Sequence, residues 1–244
     1  MKNIRIYQPE TFEVGNCIIL DKPSSNHLIK VLRLKSNDTF TLFNGKGYEY
    51  NARLEIIGKS AHAHIEASSQ PQNESALNIH LLQGISKGDR MDFAIQKAVE
   101  LGVTSITPVI TERTVVNLKN DRQQKKLQHW HAIAISACEQ SGRNILPKIN
   151  AICHLSQAIT HETDDLKILL NPLSEIHLQS FIPKKNIQIL IGPEGGLTEI
   201  EINNASTSGF RGIKLGPRIL RTETAALAAI TSVQLLWGDL GCCQ

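Results

Sequence analysis

The chain has 244 residues, 26 Lys and Arg against 23 Asp and Glu for a formal charge of +3, and 41% hydrophobic residues. That length buries a substantial core without disulfides or a structural metal, and the balance excludes disordered, collagenous and membrane-spanning chains. A net charge this small points to no polyanionic partner by itself, so a basic site has to be local.

In chain order, the first seventy residues are β-rich. Ile4 and Ile6 alternate with polar neighbours, Cys17 to Leu20 is a short apolar run, and Thr39 to Phe43 meets the turn Asn44-Gly45-Lys46-Gly47. Tyr48 to Ile57, the turn Gly58-Lys59, and Ala61 to Ile65 follow. Short strands joined by glycine turns predict a small barrel or sandwich. One helix interrupts them, Ser24 to Leu34, with Leu28, Val31 and Leu32 as its apolar stripe and Ser24 or Ser25 as its cap.

Residues 68–75 are polar and aperiodic, as in a linker. Beyond them strands alternate with helices. Strand Ile79 to Leu82 precedes a helix Asp89 to Leu101, and strand Ser105 to Ile110 precedes a long helix from about Asp121 to Gln140. Strand Ile168 to Leu170, a short helix near Leu178, strand Ile187 to Ile191 and a helix after Thr198 continue the pattern. It closes with strand Ile213 to Leu215 and helix Thr222 to Trp237. Such alternation predicts an α/β domain on a mainly parallel sheet.

Several familiar chemistries fail at once. Gly58-Lys59-Ser60 lacks the upstream glycine of a phosphate loop, because Arg53 stands there. No G-x-G-x-x-G opens a helix, which disfavours a Rossmann-type cofactor fold. The five cysteines, Cys17, Cys138, Cys153, Cys242 and Cys243, show no CxxC spacing and read as free thiols of a reducing cytosol. His62 and His64 share a strand face without a third ligand near in sequence, so no metal site is expected. The N-terminus carries no apolar h-region and no apolar run reaches membrane-spanning length, which predicts a cytoplasmic protein without a membrane partner.

Two loops remain. Ile191-Gly192-Pro193-Glu194-Gly195-Gly196-Leu197 follows an apolar strand and lets backbone come close to a ligand. The capping box Thr198-Glu199-Ile200-Glu201 then starts a helix with acids in the place where a phosphate-binding helix keeps its dipole free. That suits a neutral or cationic ligand, and the sulfonium of S-adenosylmethionine fits. The second loop, Leu215-Gly216-Pro217-Arg218-Ile219-Leu220-Arg221-Thr222, opens the last helix, and Arg221 opposes that helix's dipole, which suggests a task for the cation.

IGPEGGLTEIE followed by LGPRILRTETAALAAI closely resembles the C-terminal signature of the RsmE-type family, which methylates a uridine of 16S ribosomal RNA at base N3, within the SPOUT superfamily. Agreeing blocks are Arg5, His27 to Arg33, Gln83 to Met91, Lys97 to Gly102, Glu112 to Thr114 and Glu139 to Arg143, so the resemblance runs from about residue 3 to 238. Departures stand at Asn171, where histidine is expected, and Ser141, where cysteine is common.

The resemblance implies a PUA-like β-barrel over residues 1–70 and a SPOUT trefoil-knot α/β methyltransferase domain over 76–244. It implies S-adenosylmethionine held by three loops: Leu169, Leu170, Asn171 and Pro172; Ile191, Gly192, Pro193, Glu194, Gly195 and Gly196; and Leu215, Gly216, Ile219, Leu220, Arg221 and Thr222. It also implies a homodimer and 16S rRNA of the small subunit as substrate. Arg221 is expected to steady the uracil anion, and Glu194 to act as general base or orienting group. The basic cluster His27, Lys30, Arg33 and Lys35, together with Arg5, Arg113 and Arg143, is the expected RNA footprint. The alternatives are ribose 2′-O methylation of RNA and a non-catalytic rRNA-binding assembly protein.

Overall fold

The computed structural model describes residues 4–115, 120–160 and 165–241. Cys242 and Cys243 lie outside the described residues. The chain divides into two compact units: one takes the chain up to Glu74 and adds Cys138–Leu146, the other takes Ser75–Ala137 and Pro147 onward.

The first unit is built on five strands: β1 (Arg5–Tyr7), β2 (Cys17–Ile19), β3 (Thr39–Phe43), β4 (Glu49–Ile57) and β5 (Ser60–Ser69). Their order is β1-β3-β4-β5-β2, with β1 parallel to β3 and the other pairs antiparallel. Along β4 the pleat sends Tyr50, Ala52 and Leu54 inward and leaves Asn51, Arg53 and Glu55 exposed. Those inward residues pack with Leu42, Ala61, Ala63 and Ile65 over Leu28.

The helix expected at 24–34 is two segments. Helix α1 (Lys22–Asn26) is capped by Asp21, whose Oδ1 accepts the Ser24 N–H at 2.7 Å, rather than by a serine. Pro23 suits that first turn, where its missing N–H costs nothing. A π turn, His27–Val31, follows. Its wider winding departs from the 3.6 period, so Val31, expected in the apolar stripe, is 66% exposed while Leu28 is fully buried. Arg33 then takes φ 57°, a left-handed value rare for a residue with a side chain, and the Leu34 N–H returns to the Leu28 carbonyl at 3.0 Å.

The stretch Cys138–Leu146, expected with the second domain, groups with the first unit through buried charge. The Glu74 carboxylate accepts Arg143 Nε at 2.9 Å and Nη2 at 2.7 Å, and also the Asn144 and Ile145 N–H groups. Arg5 donates to Glu49 Oε2 at 2.7 Å, to the Arg143 carbonyl and to Asn144 Oδ1. Glu139 accepts the Tyr7 N–H at 3.0 Å.

The second unit carries a seven-stranded sheet. Its strands are β6 (Asn78–Gly84), β7 (Ser105–Ile110), β8 (Lys148–Ile149), β9 (Cys153–His154), β10 (Leu166–Leu170), β11 (Asn186–Ile191) and β12 (Arg211–Ile213). The order is β12-β10-β11-β6-β7-β8, with β9 also on β7, and every one of these pairs is parallel. The two-residue strands β8 and β9 escape sequence reading because they are too short to show a period. The helices are α2 (Asp89–Glu100), α3 (Asn120–Ser141), α4 (Leu155–Ala158), α5 (Glu199–Thr207) and α6 (Thr222–Trp237).

Leu82, Val109, Leu169 and Leu190 form one core with Leu155 and Ile159 around α4 and Ala205 of α5. Helix α6 packs on β6, β11 and α2. Burial on both faces explains the near-continuous apolar run of β11, where only Asn186 is exposed. Among the described residues no helix is long and apolar enough to cross a membrane.

Candidate active site

Because β12, β10 and β11 are neighbouring parallel strands, the segments that follow them all leave the same edge of the sheet. In open α/β sheets ligands bind at that carboxyl edge. The three loops expected to hold the cofactor therefore stand side by side, although the last strand is Arg211–Ile213 and Leu215 already lies in the loop beyond it.

The first loop is a tight turn. Leu169 is buried, Leu170 half-buried, and the Asn171 N–H donates to the Ile213 carbonyl at 2.9 Å. Asn171 Oδ1 accepts the Leu173 N–H at 3.0 Å, so the side chain that departs from the expected histidine folds its own loop, next to exposed Pro172.

In the second loop Ile191 and Pro193 are buried, and the Gly196 N–H donates to the Pro193 carbonyl at 2.8 Å with φ 70° at Gly196. The capping box that follows is formed as expected, with Thr198 and Glu201 satisfying each other's backbone N–H groups. Glu201 reaches further and accepts the Glu112 N–H at 2.8 Å.

Glu194 reaches out of its loop. Its Oε1 accepts the Lys87 N–H and Arg90 Nη1, each at 3.0 Å. Desolvation would raise its pKa, but its own backbone, the Lys87 amide and the Arg90 guanidinium outweigh that and hold the carboxyl below its ordinary value. An acid held this way is ionised and already hydrogen-bonded to Lys87 and Arg90, the arrangement of an orienting group.

Arg113 Nη1 donates to the Gly195 carbonyl at 2.8 Å, and a methyl group added at Gly195 would lie 3.1 Å from Arg113 Cβ. Arg113 thus lies against the second loop rather than standing free. The third loop carries exposed Gly216 and Ile219, half-buried Leu215 and Leu220, and exposed Arg221 as the residue before α6. The Arg221 carbonyl accepts the Ala225 N–H at 2.7 Å, while its guanidinium has no hydrogen-bond or ion-pair partner among the described residues.

Thr222 joins the loops. Its Oγ1 donates to the Gly192 carbonyl at 2.6 Å and accepts Gln83 Nε2 at 2.9 Å. Gly84 lies so close to the second loop that a Cβ there would stand 2.4 Å from the Pro193 nitrogen and 2.7 Å from the Gly192 carbonyl carbon. Gln83, Gly84 and Arg90 are thus part of the site although sequence reasoning gave them no role. The available signal was a glutamine at the end of an apolar strand, where an aliphatic residue is expected.

A cleft beside the third loop is lined by Lys214, Leu215, Gly216, Ser232, Leu235 and Leu236, together with His177 to Gln179. Of the expected cofactor residues only Leu215 and Gly216 reach it.

In the first unit His27, Lys30, Arg33 and Lys35 are all exposed on and after the π turn. Arg5 and Arg143 correct the expected RNA footprint: they are 8% and 5% exposed and committed to Glu49 and Glu74. A buried guanidinium already paired with a half-buried carboxylate is poorly placed to meet phosphate. On the outer sheet face His64 Nε2 lies 2.7 Å from Glu55 Oε2 and 3.7 Å from Cys17 Sγ, a cross-strand cluster that sequence distance concealed.

Residues 73–234 match a family model described as an RNA methyltransferase domain, and residues 20–66 match an RNA methyltransferase PUA domain. The chain is 40% identical over 239 residues to the Ribosomal RNA small subunit methyltransferase E of Buchnera aphidicola subsp. Schizaphis graminum, covering 97% of both chains. It is similar to the crystal structure of the same-named enzyme from Neisseria gonorrhoeae bound to S-adenosyl methionine, with TM-score 0.92 and 45% identity over 98% of this chain and 99% of that one. A putative methyltransferase from Legionella pneumophila in complex with the bound cofactor SAM gives TM-score 0.96 and 39% identity, covering 98% and 100%.

Proposed function

Because this chain belongs to the ribosomal RNA small subunit methyltransferase E family, we propose that it transfers the methyl group of S-adenosylmethionine to N3 of a uridine in 16S rRNA. The observation that carries the reading is the convergence of three strand-end loops, the second and third tied by Thr222 to Gly192, with an arginine at position 221 whose side chain is unpaired among the described residues.

The residues present fit the cofactor. Glycines 192, 195 and 196 bring main chain close, and Glu199 and Glu201 make the neighbouring helix start acidic, which suits a sulfonium and not a phosphate. The loops 169–172, 191–196 and 215–222 would hold it. When bound, it supplies an electrophilic methyl on positively charged sulfur.

The protein's own part is positioning and charge. Arg221, the residue before α6, brings an unengaged guanidinium to the site, where it stabilises negative charge on the uracil oxygens as the N3 proton leaves. Glu194, ionised and held by Arg90 and Lys87, keeps the second loop in one conformation, so that reactants meet in line. His27, Lys30, Arg33 and Lys35 give the first unit a phosphate-binding face. Leu235 and Leu236 of α6 and Leu240 beyond it are exposed, which supports a homodimer through this end of the chain.

The test is incubation with labelled S-adenosylmethionine and small subunits from a strain lacking the modification. Recovery of 3-methyluridine is expected. Recovery of a 2′-O-methyl nucleoside would replace the base-methylation reading, and a protein that binds no cofactor at millimolar concentration would be non-catalytic.

A further inference from the structure

Gln83 is fully buried, at 0% exposure, at the end of β6. Its Nε2 donates to the Thr222 hydroxyl at 2.9 Å and to the Gly84 carbonyl at 3.1 Å. The Thr222 hydroxyl has one proton and gives it to the Gly192 carbonyl. Both neighbours of the Gln83 amide on that side are therefore acceptors, and only the NH2 end can face them. The orientation of this amide is fixed by its partners, and flipping it would set oxygen against oxygen. Its other end, Oε1, is buried with no partner among the described residues.

A buried acceptor without a partner costs stability, and Gln83 Oε1 carries that cost where the cofactor loops meet. The group sits among elements of the cofactor site: Gly84 packs on Gly192 and Pro193, and Thr222 directly follows Arg221. Resting on the cofactor reading above, we infer that Gln83 and Thr222 form a buried positioning relay for the methyl donor. The Gln83 amide holds the Thr222 hydroxyl, the hydroxyl holds the Gly192 carbonyl, and Gln83 Oε1 accepts a hydrogen bond from an amino or hydroxyl group of the bound S-adenosylmethionine. The relay fixes the second loop and the start of α6 in one register. Gln83, on β6, lies outside the three loops that the sequence assigned to the cofactor, and it acts on two of them through Thr222 and Gly192.

The test compares cofactor affinity with stability in the full-length protein. Gln83→Met keeps the volume and removes both polar ends. Isothermal titration with S-adenosylmethionine is expected to show binding about tenfold weaker or worse, the scale of one lost hydrogen bond. The Tm of the free protein is expected to stay equal to wild type or rise, since the unsatisfied acceptor is gone. Thr222→Val should weaken binding similarly, and Thr222→Ser, which keeps the hydroxyl, should restore it. Unchanged affinity in Gln83→Met and Thr222→Val overturns the relay, and so does weakened affinity that only follows a fallen Tm. Should Thr222→Val fail to fold, Gln83→Met set against Thr222→Ser decides alone. A wild-type protein that binds no S-adenosylmethionine overturns the functional reading itself, which is distinct from a binding wild type with unaffected variants.

Discussion

The Arg90 guanidinium, in the first turn of α2, stands 3.0 Å from the Glu194 carboxylate of the second loop, 104 residues away in sequence. Desolvation opposes ionisation of this acid, the one in the second loop, and its own backbone, the Lys87 amide and this guanidinium together outweigh it. Its pKa is lowered, so the ionised form and its hydrogen bonds persist at neutral pH. They are lost only as pH falls through a value below the ordinary one for a glutamate. Between pH 6 and 9 the rate profile should therefore contain no limb from Glu194. Glu194→Gln should keep the shape of the wild-type profile while weakening cofactor binding by about three- to tenfold, through loss of charge-assisted bonds. A limb near neutrality that vanishes in Glu194→Gln would restore the general-base role.

Arg221→Ala should lower the single-turnover methyl-transfer rate by about 100- to 1,000-fold, the range for removing one donor that meets developing charge. Cofactor affinity should change much less than the rate, and Arg221→Lys should recover part of it. Equal losses in both quantities would place Arg221 on the cofactor rather than on the uracil.

Gly84→Ala puts a methyl group against main chain that cannot rotate away, 2.4 Å from the Pro193 nitrogen. Urea unfolding should show a loss of about 1–3 kcal/mol, as for an overpacked core site. Calorimetric titration of the folded variant should show weaker cofactor binding.

Arg33→Gly separates conformation from charge. The left-handed φ of 57° disfavours a side chain, so glycine relieves strain while adding freedom to the unfolded chain. Stability should stay within about 1 kcal/mol of wild type. RNA affinity should fall, with the salt slope reduced by about 0.7–0.9 for one lost phosphate contact. An unchanged slope removes Arg33 from the footprint.

Arg143→Ala should destabilise the protein by about 3 kcal/mol or more, because it strands the Glu74 carboxylate beside two backbone N–H groups. The salt slope of RNA binding should not change. A changed slope with unaltered Tm would return Arg143 to the RNA surface.

The parallel sheet and its loops were legible because strands such as Asn186–Ile191 are continuously apolar and end in glycine and proline. The π turn was not, since a 3.6 period and a wider turn give the same apolar spacing over one winding. Nor was the pairing of Arg5 with Glu49 and Arg143 with Glu74, because sequence shows a charge but not its partner. Gln83 was read past for a similar reason. A polar residue becomes informative only once its burial is known, and Thr222 lies 139 residues away.

The grouping of Cys138–Leu146 with the amino-terminal unit bears on biosynthesis. A nascent chain that has emerged only to Glu74 lacks Arg143, the counterion of Glu74, so that unit cannot complete its ion pairs until Cys138–Leu146 has followed. It matures only after Leu146 has cleared the exit tunnel, and a gene fragment ending at the apparent linker would yield a product in which Arg5 keeps Glu49 but Glu74 is stranded without Arg143.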